Sequence, residues 1–117
     1  MRTVLVVEDE VLIRLTLVDA LHEAGFDVVD TGSADHAVKI INEQTIHLLF
    51  TDIQLPGKLT GLDLAQRVAE RFPDAGIIVA SGRIQPTSAD LPPRAKFFAK
   101  PFRFDQIIEC LKAMNRH

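Results

Sequence analysis

The sequence predicts an α/β domain in which a five-stranded parallel sheet carries helices on both faces. Two observations predict it. Short apolar runs without polar alternation end abruptly at polar residues, as strands buried on both faces do. The stretches between them place apolar residues at helical spacing and are punctuated by Gly and Pro, which gives a βα repeat.

The first strand is Thr3-Val4-Leu5-Val6-Val7, stopped by Glu8 and Asp9. Residues 10–24 set Ile13, Leu17, Leu21 and Ala24 on one helical stripe, with Gly25 as its stop. Phe26 to Asp30 forms a short second strand, and Ser33 caps a second helix whose Ala34, Ala37, Val38 and Ile41 recur at helical spacing. The third strand, residues 46–51, stops at Asp52, and residues 54–61 have the Pro and Gly of a loop. A third helix follows, with Leu64, Ala65, Val68 and Phe72 as its apolar face and Pro73 just beyond. Strand four, Gly76 to Ala80, stops at Ser81. Strand five, Ala95 to Ala99, stops at Lys100. The last helix carries Phe104, Ile107, Ile108 and Leu111 at i, i+3, i+4 and i+7. Between strands four and five the pattern fails: Pro86, Pro92 and Pro93 lack the amide hydrogen and clash with a preceding helical turn, so a short or irregular connector is expected.

Composition narrows the function. A chain of 117 residues, 47% of them hydrophobic, is expected to form one domain over residues 1–117. Thirteen Lys plus Arg are scattered among 16 Asp plus Glu for a net charge of -3, so there is no basic stripe and direct nucleic-acid binding is not expected. Cys110 is the single cysteine, which excludes an internal disulfide and reads as a small packing residue. No apolar stretch suits membrane insertion, and Glu8-Asp9-Glu10 interrupts the opening run too early for a secretory signal, so a cytoplasmic setting is expected. His22, His36, His47 and His117 lack ligand spacing and read as solvated or incidental.

In a parallel sheet every strand ends on the same edge, where doubly wound folds bind ligands. Glu8, Asp9, Asp52, Ser81 and Lys100 therefore converge there. Three carboxylates are tolerable together only if they titrate upward or share a cation. Mg2+ prefers oxygen ligands and commonly uses one or two carboxylates plus phosphate oxygens, with Asp9 and Asp52 as direct ligands and Glu8 acting through water. Asp52, at the end of a central strand, is the candidate nucleophile for an aspartyl phosphate, with Lys100 adding a point charge and Ser81 a hydrogen bond to a phosphoryl oxygen. Each feature alone has a plainer explanation, such as first-turn helix charges for Glu8, Asp9 and Glu10 or a turn dipeptide for Ser81-Gly82. Their joint placement at the ends of strands one, three, four and five carries the inference.

Val6-Val7-Glu8-Asp9-Glu10, Thr51-Asp52-Ile53-Gln54-Leu55-Pro56-Gly57 with Gly61 following, Ala80-Ser81-Gly82 and Lys100-Pro101-Phe102 together resemble the receiver domain of bacterial two-component response regulators, from Val4 to about Leu111. The resemblance implies a flavodoxin-like, doubly wound sheet in the order 2-1-3-4-5. It further implies Mg2+ at Glu8, Asp9, Asp52 and the Gln54 carbonyl, and phosphoryl transfer onto Asp52 from a histidine kinase or a histidine phosphotransfer protein, changing the binding of a downstream partner. Such a domain catalyses its own phosphorylation and dephosphorylation rather than turning over a substrate. Ser81 would move toward the phosphoryl group, and the aromatic ring that swings in behind it falls at Phe97. Gln54 and Arg83, each two residues beyond a site residue, would flank the phosphoryl group.

The proline-rich connector departs from the regular fourth helix of typical receivers. With Pro101 to Ile107 it is partly similar to single-domain receivers that carry a Phe-Ala-Thr-Gly motif, which here reads Val79-Ala80-Ser81-Gly82. A flavin carrier would share the sheet order, but Glu8-Asp9-Glu10 would repel its phosphate. A turnover phosphatase is disfavoured by Gln54, where such enzymes carry an acid. A phosphate-independent binding module and a receiver excised from a hybrid histidine kinase stay open alternatives.

Overall fold

The computed structural model describes residues 2–115, so the expectation for His117 lies outside the described residues. Nine elements follow in order: β1 (Thr3–Val7), α1 (Val11–Glu23), β2 (Asp27–Thr31), α2 (Ala34–Glu43), β3 (Leu48–Asp52), α3 (Gly61–Arg71), β4 (Gly76–Ser81), β5 (Lys96–Ala99) and α4 (Phe104–Met114), with one 3-10 turn, Ser88–Asp90, between β4 and β5. The sheet order is β2-β1-β3-β4-β5 and every pairing is parallel. The fold is therefore the flavodoxin-like, doubly wound one expected. Its order reverses between β1 and β3, which opens a crevice at their carboxyl ends.

Alternation along the strands divides the core in two. Leu5, Val7, Leu49 and Val79 pack against Ala37 and Ile41 of α2 and Leu64 and Val68 of α3. Val4, Val6, Leu48, Phe50 and Ile78 pack on the other face against Leu17 and Leu21 of α1 and Ile107 and Leu111 of α4. The register sets the functional edge: Val7 pairs with Thr31 and Thr51, Asp52 with Ala80, and Ser81 with Ala99. The residues that follow these pairs share one rim.

Local chemistry explains most boundaries. Ser33 Oγ accepts from the His36 N–H at 3.2 Å, the expected cap of α2. Thr60, at the end of the expected loop, caps α3 reciprocally with Asp63. Gly25 takes φ +93° just past α1, the left-handed position that favours glycine. Phe26 and Ile46 are buried but precede the strands that were expected to contain them.

One expectation needs correction. Burial of strand five on both faces fails, because β5 is an edge: Lys96 and Ala99 are exposed, and Phe97 and Phe98 are half-buried. The proline connector covers it in place of a helix, with Pro92 buried and Leu91 half-buried. The apolar stripe expected of α1 is in place: Leu17 and Leu21 are fully buried and Ile13 and Ala24 half-buried, while Val11, Leu12 and Leu15, off that stripe, are exposed, Leu12 by 79%.

Gly61 sits where a side chain has no room, since a Cβ there would overlap the carbonyl oxygen of Asp52 and lie 2.9 Å from Ile53 Cα, both backbone atoms. Gly61→Ala is expected to destabilise the fold by about 3 kcal/mol, the upper end for adding a methyl to packed structure. Gly57→Ala, at φ +94° in open space, is expected to cost about 1 kcal/mol. Urea unfolding of both variants checks the difference.

Candidate functional site

The turn after β1 supplies Glu8 and Asp9, and β3 ends on Asp52. Each offers one carboxylate oxygen within 4.8 Å of the others. Glu8 and Asp52 are buried, at 0% and 6% exposure, whereas Asp9 is open to solvent. Lys100, directly after β5, reaches into this group. Its Nζ lies 2.7 Å from Glu8 Oε1, 3.1 Å from Asp52 Oδ2 and 3.6 Å from Glu10 Oε1. Its backbone N–H donates to the Ser81 carbonyl at 2.9 Å, fixing the root of the side chain.

The electrostatics follow from burial. Burial raises the Glu8 carboxyl pKa above its ordinary value; the Lys100 ammonium and the Glu10 N–H, 3.1 Å from Oε2, pull it down, and the Asp52 charge pushes it up. For Lys100, burial alone would lower the pKa. Its contacts with Glu8 and Asp52 outweigh that effect and hold it above the usual lysine value, so it stays protonated. The contact between Lys100 and Glu8 Oε1 is a close ionic one without the direction of a hydrogen bond, so this buried oxygen still lacks a directed donor.

Three carboxylates less one ammonium leave two negative charges, which a divalent cation would balance. The all-oxygen donor set and the undirected Glu8 oxygen fit Mg2+. Glu8, Asp9 and Asp52 are thus brought together as expected. Gln54 is exposed in the loop after β3, with its N–H 3.4 Å from Asp52 Oδ1.

Ser81 is buried beside them but turned to its own loop, where Oγ accepts from the Arg83 N–H at 3.2 Å and the Ile84 N–H at 3.0 Å. In this orientation its hydroxyl makes no hydrogen bond to Asp52. Phe97 pairs with Val79 and lies half-buried against the α2 and α3 core, whereas Phe98 lies on the α1 and α4 side. Cys110 is half-buried against α4's core, and burial pushes its thiol pKa up, as suits a packing residue.

Two histidines, expected to be solvated or incidental, make local hydrogen bonds. His47 Nδ1 accepts from the Thr3 N–H at 3.0 Å, and His36 Nδ1 lies 3.0 Å from Thr31 Oγ1. Both tie strand ends rather than hold a ligand.

Sequence reasoning missed two neighbours of the site. Arg14, one turn into α1, donates from Nη1 to the Glu8 carbonyl at 2.8 Å and pairs through Nε with Asp30 at 3.1 Å. Its signal is a basic residue six positions after an acid in an otherwise apolar stretch. A cavity of about 480 Å³ also opens beside Lys100, between Ile13, Arg83, Pro101, Phe102 and Phe104. The Phe50, Phe102 and Phe104 rings stack edge to face below it.

Comparison with known proteins agrees with this geometry. The model of the response regulator receiver domain matches residues 4–112. The response regulator receiver protein CpdR of Brucella abortus is 33% identical over 118 residues, covering 97% of each chain. A response regulator receiver protein from Sinorhizobium medicae superposes with a TM-score of 0.91 at 26% identity, over 98% of this chain and 94% of that one. The response regulator TrrA of Thermotoga maritima, crystallised with Mg2+ and BeF, gives a TM-score of 0.81 at 29% identity, over 97% and 99% of the two chains. With the family pattern spanning nearly the whole length and a relative of this identity along both chains, the protein belongs to the response regulator receiver domain family.

Proposed function

We propose that the protein is a phosphoacceptor switch in which Asp52 takes a phosphoryl group from a histidine kinase or a histidine phosphotransfer protein. The observation that carries this is the Asp52 carboxylate, seated at the topological switch point with Lys100 Nζ at 3.1 Å and two further acids beside it. The Asp52 carboxylate attacks phosphorus, the bond to the donor imidazole nitrogen breaks, and its electron pair leaves with that nitrogen. Water later attacks the same phosphorus, releasing inorganic phosphate and restoring the carboxylate. Mg2+, held by Glu8, Asp9, Asp52 and the Gln54 carbonyl, supplies positive charge against the phosphoryl oxygens when bound. Lys100 gives up its contact with Asp52 for a phosphoryl oxygen.

The switch acts on Ser81 and Phe97. Ser81 Oγ holds the Arg83 and Ile84 amides, so its turn toward the phosphoryl group frees the start of the connector, and Phe97 moves into the space behind it. Phosphorylation shifts this equilibrium only by its differential interaction with the two states.

Donor docking falls on the apolar rim. Among the described residues the exposed large hydrophobic side chains are Val11, Leu12, Leu15 and Ile84, all on α1 or in the loop after β4. Exposed apolar side chains on the elements that follow β1 and β4 are offered to a protein partner. No helix among the described residues is long and apolar enough to cross a membrane. A cytoplasmic setting, beside a cytoplasmic phosphohistidine donor, accompanies this proposal.

Incubation with Mg2+ and acetyl phosphate, read by intact mass, is expected to add one phosphoryl group to the wild type and none to Asp52→Asn. Lys100→Met is expected to slow the gain by about a hundredfold, the scale for removing one preorganised charge-stabilising group. Steady phosphate release without mass gain would instead indicate a phosphatase. No gain and no release, with acetyl phosphate and with a phosphorylated histidine donor alike, would leave a phosphate-independent binding module.

Gln54 and Arg83 control access of the attacking water in this scheme. Exchanging either is expected to change the lifetime of the phosphorylated form severalfold, measured by the decay of the phosphorylated mass. Unchanged hydrolysis in both single exchanges would defeat that role.

A further inference from the structure

We infer that Arg14, lodged against Gly32, is a positioning residue for the cation site, holding the Glu8-Asp9 turn in the shape that binds Mg2+. The inference rests on the Mg2+ site proposed above. The turn is pinned to the end of β2 on both sides of the Glu8 residue: its N–H donates to the Thr31 carbonyl at 3.0 Å, and its carbonyl accepts from Arg14 Nη1 at 2.8 Å. Arg14 is held in turn by a close ionic contact with Asp30, 3.1 Å from Nε and without the direction of a hydrogen bond, and by its own N–H on the Glu10 carbonyl at 3.0 Å.

At the helix start the Glu10 N–H holds the Glu8 side chain, on Oε2 at 3.1 Å, but nothing there holds the Glu8 carbonyl. Glu10 at the N-cap of α1 makes no side-chain capping bond, so the usual device for fixing such a turn is absent. The guanidinium fork does it from one turn along the helix, reaching a carbonyl and a carboxylate together as a lysine could not.

Gly32 makes the arrangement possible. A Cβ on this residue would lie 2.6 Å from Arg14 Nη1, and only at ordinary contact distance, 3.6 Å, from Asp9 Cα and the Glu8 carbonyl oxygen. The backbone at Gly32 does not itself demand glycine, since its φ lies outside the left-handed region. What the missing side chain leaves room for is the guanidinium tip.

Charge and position predict opposite signs, which makes the role testable. On Coulomb's law alone, deleting a cation next to three carboxylates would tighten Mg2+ binding. If Arg14 positions the turn, deletion weakens it, and supporting groups one shell out from a metal typically cost 10–100-fold in affinity when removed.

The test is a MgCl2 titration followed by amide chemical shifts, with urea unfolding of each metal-free variant alongside. Arg14→Met is expected to weaken Mg2+ binding at least about tenfold. Gly32→Ala, which displaces the guanidinium without changing any charge, is expected to weaken it in the same direction while the metal-free stability stays near the wild type's. In the Arg14→Met background, Gly32→Ala should have no further effect on affinity, as expected of two changes acting through one contact. Wild-type affinity in Gly32→Ala, or equal or tighter binding by Arg14→Met, overturns the positioning role and leaves the Mg2+ site standing. A wild-type protein that binds no Mg2+ takes down the site and the inference together. Should Arg14→Met fail to fold, Gly32→Ala decides alone, because its added methyl clashes only with the movable end of one side chain and meets Asp9 Cα and the Glu8 carbonyl at ordinary contact distance.

Discussion

Lys100 meets Glu8 and Asp52 at 2.7 and 3.1 Å inside a rim from which water is largely excluded, and it neutralises only part of their charge. Like charges this close and this buried repel strongly, so the surrounding structure must hold them against that repulsion. The sheet does so. Because β1, β3, β4 and β5 are parallel and in register, the acid turn, Asp52, Ser81 and Lys100 have no freedom to separate along the strands. The two apolar layers anchor those strands through residues with essentially no exposure, among them Val7, Phe50 and Val79. Much of the core's rigidity thus serves to keep an unfavourable constellation together until a cation relieves it.

The central strands were legible in the sequence because burial on both faces leaves an unbroken apolar run, and the polar residue that ends each run marks the edge. Asp52, Glu8 and Lys100 were therefore found from chain position alone. The α3 cap was less visible, since Thr60 lies at the end of a Gly- and Pro-rich loop and declares itself only through its reciprocal bonds with Asp63. The exposed apolar side of α1 was hidden for a different reason. Periodicity placed Ile13, Leu17, Leu21 and Ala24 toward the sheet, but spacing does not say which further apolar residues stay uncovered, as Val11, Leu12 and Leu15 do. Arg14 was missed because its partners, the Glu8 carbonyl and Asp30 on the neighbouring strand, are brought to it only by the fold, and its spacing from Glu8 is a weak mark by itself.

The edge strand shows where local rules and tertiary packing part company. Phe97 and Phe98 have the pattern of a core strand, yet β5 pairs on one side only and is covered by Leu91 and Pro92 of a connector that cannot form a helix. The prolines that forbid the helix also shape its replacement, a single 3-10 turn closed by a Thr87 and Asp90 capping box. Ser81 sits at the junction of the two regimes, buried at the end of β4 and bonded to the first amides of that connector.

That junction sets how opening free energy is distributed across the domain. The β1 and β3 strands carry ladders on both sides and are buried from Val4 and Leu48 onward, which places their amides among the last to open, whereas β5 and the connector form a unit with a single ladder and half-buried rings. A rearrangement confined to that unit leaves the acid turn and Asp52 in place. The fold can thus soften at the β5 edge of its sheet while the centre stays stiff, and a signal started at Asp52 meets less resistance toward β5 than through the central strands.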